Sequence, residues 1–206
     1  MALIDAPWRS SLARALHRNR AHPAARFVQL ATVRPDGSPA NRTIVFRGFV
    51  PEPFSRHDNL ADTLQFVTDQ RSEKVLELEH EGRVEICWYF VKTREQFRLR
   101  GELVIIGENA SDLPEQPDVR LRQHLWKSLS DAARTQFSWP DPAGERAEDA
   151  AFEVAAPDAE QPLASFAVLL LKPTYVDHLE LRAAPQNRFC YWLDEEQAWQ
   201  SRRRNP

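Results

Sequence analysis

The run from Asn41 to Phe49 constrains this chain more than any other. It alternates with a period of two: Arg42, Ile44 and Phe46 point to one side of an extended strand, and Thr43, Val45 and Arg47 to the other. Apolar side chains on both sides require cover on both sides, so the strand belongs inside a packed sheet. The arginines near its two ends then need an anion, a carboxylate or a wet cleft, because a guanidinium withdrawn from water without a partner is costly. An edge strand with two snorkelling arginines meets the same pattern, so the rest of the chain has to decide between the two.

The flanking segments read as a succession of strands. Residues 8–20 predict a short amphipathic helix with Leu12, Ala13 and Leu16 on one face, ended by His22-Pro23. Phe27–Val33 and Ala40–Val50 predict an antiparallel hairpin around Arg34-Pro35-Asp36-Gly37-Ser38-Pro39, where proline presets φ and Gly37 supplies a positive φ. A polar loop over 51–59 leads to a strand over 63–68 and a helix over 73–81 with Val75, Leu76 and Leu78 inward. Ser72 or Asp69 is placed to cap that helix and Gly82 to end it. Strands follow over 84–90 and 95–106, the second interrupted at Gly101.

Further helices are predicted over 118–129, with Leu121, Leu125, Trp126 and Leu129 in phase, and over 131–137. Residues 140–162 are rich in Pro, Ala, Asp and Glu without periodicity and predict an exposed loop. Strands over 165–171 and, past Pro173, over 174–181 lead through a turn to a last strand over 187–193. Arg202-Arg203-Arg204 reads as a solvated tail, although Trp199 suggests that its segment docks. Seven meandering strands predict a mainly β fold with peripheral α-helices, closed into a barrel and spanning 1–206 as a single domain.

Composition removes several functions. A formal net charge of −3 gives no reason to expect nucleic-acid binding, and no apolar run approaches the ~18 residues of a membrane span. The N-terminus lacks the basic and apolar regions of a signal peptide. Cys87 and Cys190 lie in apolar strand-like runs, as buried free thiols of a cytoplasmic protein do. Two cysteines without helpful histidine spacing make no zinc site, so no metal is expected. Neither a Walker loop nor a glycine-rich dinucleotide turn is present.

Three short stretches carry chemistry. At Arg71-Ser72-Glu73-Lys74 a helix starts with two cations, which oppose the positive end of its dipole unless an anion sits between them. A phosphate satisfies the free backbone N–H groups, the Ser72 hydroxyl and Lys74 together, with Arg42 adding a bidentate fork. Surface neutralisation by Asp69 and Glu73 is the plainer alternative. Gln96, at a strand start, offers a donor and an acceptor to the edge of a heteroaromatic ring, or is simply an exposed strand end. In Asn187-Arg188-Phe189, near Trp192, an arginine beside aromatics covers a ring, binds an anion, or pairs with Asp177 or Asp194.

Taken in order, these pieces resemble the pyridoxamine 5′-phosphate oxidase-like flavoproteins, in particular the branch of oxidase-related FMN-binding proteins. The matching blocks are Gln29–Val33 with Pro35-Asp36-Gly37, Asn41–Phe49, Phe66–Asp69 with Arg71–Lys74, Glu95-Gln96-Phe97 with Gly101, and Asn187-Arg188-Phe189. The resemblance implies an FMN-binding split β-barrel, with the cofactor at a homodimer interface and a small-molecule substrate. By position, Arg42 and Lys74 would hold the FMN phosphate, with Arg71 and Ser72 close by. Thr43, Ile44, Val45 and Phe46 would line the isoalloxazine with backbone groups, and Val67 and Thr68 would pack beside it. Gln96 would meet the ring's polar edge, and Arg188 would reach it from the C-terminal segment, across the dimer. Arg47 falls where the oxidase has a lysine near its substrate; no other catalytic residue stands out.

The positions that grip vitamin B6 phosphate in the family differ here. Ala184 and Gln186 replace an arginine and a histidine, Leu179 a tryptophan, and Ala143-Gly144 a glutamine–serine pair. Glu73 replaces a second arginine at the phosphate-binding helix, and Trp126 to Arg134 offers no match for the tyrosine, arginine and serine that hold the substrate phosphate. The expectation is an FMN-dependent oxidoreductase with an altered substrate site. A genuine pyridoxamine/pyridoxine 5′-phosphate oxidase is one alternative. A non-catalytic flavin or haem carrier is the other, although none of the six histidines sits in a recognisable haem-ligand motif.

Overall fold

The computed structural model describes residues 6–56, 60–108 and 117–206. Residues 1–5, which begin the stretch bearing on a signal peptide, and the end of the loop read over 51–59 lie outside the described residues.

Helix α1 (Arg9–Asn19) turns Leu12 and Ala15 inward. Strands β1 (Phe27–Val33) and β2 (Pro39–Val45) form the expected hairpin, with Leu30 opposite Arg42. The strand expected to run on to Val50 instead ends at Val45. Gly48 adopts φ +133°, open to glycine and strained for other residues. A two-residue strand β3 (Gly48–Phe49) then pairs with β4 (Leu64–Asp69). Between them, the Phe46 N–H donates to the Arg26 carbonyl (2.8 Å) and the Arg47 N–H to the Gln65 carbonyl (2.9 Å). Phe46 is therefore tied to the 3₁₀ turn that leads into β1, and Arg47 to β4.

That link shapes the domain. With β5 (Arg83–Phe90), β6 (Glu95–Ile106) and β7 (Phe166–Glu180), the antiparallel sheet runs in the order β2-β1-β5-β6-β7-β4-β3. Strands β2 and β3 are successive in the chain yet lie at opposite ends of this path, so the sheet curls into a split barrel. The expected seven-strand meander is corrected to nine strands among the described residues, with β8 (Asn187–Leu193) paired to β7 and β9 (Trp199–Arg204) paired to β8. The arginine-rich tail is thus an edge strand, held at its start by Trp199, which packs edge-on against Trp8.

The strands read on either side of Pro173 are one. Strands β6 and β7 change register where Arg100 faces Tyr175 but Gly101 faces Pro173, leaving Thr174 as the extra residue of a bulge. Proline has no N–H to give to a ladder, and the bulge is where a strand accommodates that. A Cβ at Gly101 would lie 2.1 Å from the Lys172 carbonyl oxygen, so the close approach of the two backbones requires glycine.

The barrel interior holds Leu30, Ile44, Phe46, Phe66, Ile86, Trp88 and Phe97, closed at one side by Trp8 and Leu12. A second core lies under helix α3 (Pro117–Lys127), where Leu121, Leu125, Trp126 and Leu129 meet Phe166 and Leu170 as their phase predicted. Helix α4 (Asp131–Thr135) and a 3₁₀ turn over Gln136–Ser138 follow. Helix α2 (Glu73–His80) stops before Gly82, and its inner face differs from expectation. Val75 and Leu78 are buried, but Leu76 is 63% exposed and Glu77, at 3%, takes the inward place.

Candidate functional site

A cavity of about 690 Å³ opens between β2, β4, the first turn of α2 and the chain from Ala133 to Phe152. The alternation of β2 determines its lining. Thr43, Val45 and Arg47, the outward set, line it together with Ile44, whereas the Phe46 side chain goes into the barrel core. Val67, Thr68 and Lys74 complete the β4–α2 wall.

Lys74 is the cation of this wall. Its Nζ donates to Ser72 Oγ (2.9 Å) and Thr68 Oγ1 (3.1 Å), and among the described residues it has no carboxylate in ion-pair contact. Burial, and next the charge of Arg42, push its pKa below the ordinary lysine value. Neither expected cap closes α2. The Ser72 hydroxyl donates to the Asp69 carbonyl (2.6 Å), and the Asp69 carboxylate accepts from Arg71. The first turn of the helix therefore keeps its backbone N–H groups free of side-chain caps, beside an ammonium and two hydroxyls.

Arg42 stands behind that wall. One nitrogen of its guanidinium donates to Thr32 Oγ1 and another to the buried Glu77 carboxylate, to which Thr32 also donates (2.5 Å). Arg71 has the plainer arrangement. It forks onto Asp69 (3.0 and 2.6 Å), and it reaches Asp141 (2.8 Å) and the Trp139 carbonyl (3.1 Å), which pins the 139–141 segment at the cavity rim. The Asp69 hydrogen bonds raise its pKa.

The other two expected residues lie elsewhere in the chain. Gln96 faces Leu179 on β7 and Leu179 faces Arg188 on β8, so the three form one cross-strand row outside the cavity. Arg188 makes a bidentate pair with Asp177 (3.0 and 2.7 Å), one of the two partners read from sequence, and this raises its pKa. Both Glu77 and the cavity wall at Trp139–Phe152 escaped sequence reading. Trp139 packs against Phe152 with ring centroids 5.7 Å apart, so the first part of the loop read over 140–162 is a wall. A third grouping had no sequence signal either. Glu95, His178 and Glu180 bring ligand-type atoms within 4.8 Å of one another, with His178 stacked on Phe97 at 4.0 Å.

A family model described as the FMN-binding domain of pyridoxamine 5′-phosphate oxidase matches residues 5–107. The pyridoxine/pyridoxamine 5′-phosphate oxidase 2 of Arabidopsis thaliana is 34% identical over 204 residues, 98% of either chain. The chain belongs to this family.

Two solved structures agree with this chain in fold. A pyridoxamine 5′-phosphate oxidase-related, FMN binding protein from Nostoc punctiforme PCC 73102 is 48% identical, with a TM-score of 0.88 over 98% of each chain. PhzG from Burkholderia lata 383 is 20% identical, with a TM-score of 0.74 over 96% of this chain and 91% of its own, and shares the fold. Within this oxidase-family fold two residues of the Trp126–Arg134 stretch have structural tasks. The Trp126 ring is fully buried against Phe166 and Phe137. Arg134 is buried and donates to the Leu129 carbonyl (2.5 Å). Ala143 and Gly144 do line the cavity, offering no side-chain hydrogen-bonding group there.

Proposed function

We propose that this oxidase-family protein is an FMN-dependent oxidoreductase that works as a homodimer on a small molecule other than a vitamin B6 phosphate. The observation that carries this reading is Lys74, a partly withdrawn ammonium with no carboxylate in ion-pair contact among the described residues, at an uncapped helix start in a cavity of about 690 Å³. These residues fit FMN. Lys74, Ser72 and the free N–H groups of α2 would hold its phosphate, with Arg42 adding charge from behind and Arg71 holding the rim. Backbone groups of Thr43–Phe46 would run along the ring, with Val67 and Thr68 beside it. When bound, the cofactor supplies two-electron transfer, and the chain supplies position and charge.

Arg47 would set a positive charge near the ring or substrate, and an Arg47→Ala variant with an unchanged flavin reduction potential would count against that part. Gln96 and Arg188, outside the cavity of their own protomer, would serve the cavity of the second copy. Among the described residues no helix is long and apolar enough to cross a membrane.

Absorbance of the purified protein, with the released cofactor identified by mass, is the direct test. An FMN spectrum is expected, and a colourless protein that FMN does not stabilise against heat sinks the proposal. Lys74→Met should weaken FMN binding about 10- to 150-fold, the worth of a charge-assisted hydrogen bond of ~1.5–3 kcal/mol. It should leave the melting temperature of the cofactor-free protein level or raised, because it removes a cation that burial and Arg42 disfavour. Mixing Lys74→Met and Arg188→Ala chains tests the dimer. Each mixed dimer keeps one intact site if Arg188 acts in trans, and none if it acts in cis. A second reading, a genuine pyridoxamine 5′-phosphate oxidase, is favoured by the full-length likeness to the Arabidopsis protein. Turnover of pyridoxamine 5′-phosphate by the FMN-loaded protein would establish it.

A further inference from the structure

The inner face of α2 carries an acid where packing alone would place an apolar residue. Val75, Glu77 and Leu78 turn inward, and Glu77 is 3% exposed. One of its carboxylate oxygens accepts from the Thr32 hydroxyl (2.5 Å) and from Arg42, and Arg34 approaches the other at 3.8 Å. A buried carboxylate is retained as a charge only where it is paired and hydrogen-bonded. Here the paired cation comes from β2, a strand that lines the candidate flavin cavity.

The bonds close a triangle. Arg42 donates to Thr32 Oγ1 with one terminal nitrogen and to Glu77 with the other, while Thr32 donates to the same Glu77 oxygen. A guanidinium gripped at both terminal nitrogens has one orientation, so its long stem gives up its rotamer freedom on folding and not on binding. Arginine carries five N–H donors, and the two acceptors leave the others for a further partner. The side chain is also not enclosed, with 21% of it exposed. Arg42 is followed in β2 by Thr43, which lines the cavity, and Glu77 follows Lys74 on α2 at the i, i+3 spacing of helix neighbours. The triangle therefore adjoins the Lys74 ammonium. Arg34, Arg42 and Lys74 together outweigh the single charge of Glu77, so the carboxylate fixes Arg42 without cancelling the cationic character of the cluster.

We propose that Glu77 is a positioning residue for the cofactor phosphate: with Thr32 it holds the Arg42 fork so that a phosphate at Lys74 and the start of α2 takes up the remaining N–H groups of Arg42. The inference rests on the FMN reading. A residue that served packing alone would support ring and phosphate alike, whereas this one acts on the phosphate.

The test is fluorescence titration of FMN and of riboflavin, the same ring without the phosphate, into the cofactor-free full chain and three variants. The ratio of the riboflavin Kd to the FMN Kd reads the phosphate grip alone. Glu77→Ala should lower this ratio at least about tenfold, the scale on which outer partners of a ligating group act, and leave riboflavin affinity unchanged. Thr32→Val removes one of the two acceptors of Arg42 and should lower the ratio about threefold, within the range of one hydrogen bond. Glu77→Gln, whose amide oxygen still accepts from Arg42, should keep most of the ratio. Melting curves verify that each variant is folded at the titration temperature, and Thr32→Val and Glu77→Gln carry the test if Glu77→Ala is not.

A ratio unchanged in either Thr32→Val or folded Glu77→Ala overturns the proposal. So does a ratio that rises in Glu77→Ala, which would make the carboxylate a competitor of the phosphate for Arg42. Equal losses of FMN and riboflavin affinity overturn it in favour of a purely structural role, and a Glu77→Gln ratio as low as that of Thr32→Val or lower overturns it in favour of charge over orientation. The parent chain reports separately on the cofactor. A parent that binds neither flavin ends the FMN reading and this inference with it, whereas an FMN-preferring parent with unchanged variant ratios ends the inference alone.

Discussion

Glu77→Ala is expected to be among the most destabilising single substitutions in this protein. Glu77 is 3% exposed and is the common acceptor of Arg42 and Thr32, with Arg34 at 3.8 Å from its second oxygen. Removing it leaves the Arg42 guanidinium under α2 without a counter-charge, at a cost of ~3–5 kcal/mol for a fully buried pair. The Arg42 side chain keeps 21% of its exposure, so the lower end applies. About 3 kcal/mol corresponds to a fall in melting temperature of roughly 6–12 °C for a chain of this size. The double variant Arg42→Met/Glu77→Leu should recover most of that loss, since a buried ion pair stabilises little over a well-packed apolar pair. Thermal unfolding of the three cofactor-free proteins measures both effects. A single variant as stable as the parent would show that Arg42 finds water or another acceptor.

Gly101→Ala is the second large effect. The added Cβ would meet the Lys172 carbonyl oxygen at 2.1 Å and its carbon at 2.9 Å, both backbone atoms of the β7 bulge. No side-chain rotation relieves such a contact, so β6 and β7 must separate where their register changes. A cost of about 3 kcal/mol is expected, at the upper end of overpacking penalties. Gly82→Ala is the matched control, because its Cβ would meet the flexible Glu102 side chain at 3.4 Å and the Leu103 carbonyl oxygen only at an ordinary 3.7 Å. Urea midpoints that fall equally for the two variants would mean that the bulge yields and that the glycine is there for another reason.

Both effects concern partners that are distant in sequence, and this is the line between what was legible and what was not. The β1–β2 hairpin was legible because Pro35, Asp36 and Gly37 act on their own backbone. The facing of Thr43, Val45 and Arg47 was legible because side chains on a strand alternate whatever surrounds them. At Lys74 the conflict between a cation and a helix start was visible locally, and among the described residues no carboxylate comes into ion-pair contact with it; at Arg71 the same conflict is answered by Asp69, as the plainer reading had it. The inward turn of Glu77 was not legible. Its partners Thr32 and Arg42 lie 45 and 35 residues away, and a hydrophobicity pattern assigns the inner position to Leu76 instead.

By itself, then, the sequence determined most of the strands and their facing, the cationic helix start and, through the order of its motifs, the family. Those properties depend on backbone torsions and on neighbours a few residues apart. Tertiary structure alone decided that one strand breaks at Phe46–Arg47 to join opposite ends of the sheet. It also decided that residues 139–152 wall a cavity and that Gln96 and Arg188 share a row away from it. Each of these depends on which backbone N–H and carbonyl groups find one another across the closed barrel, a choice made by packing and not by local propensity.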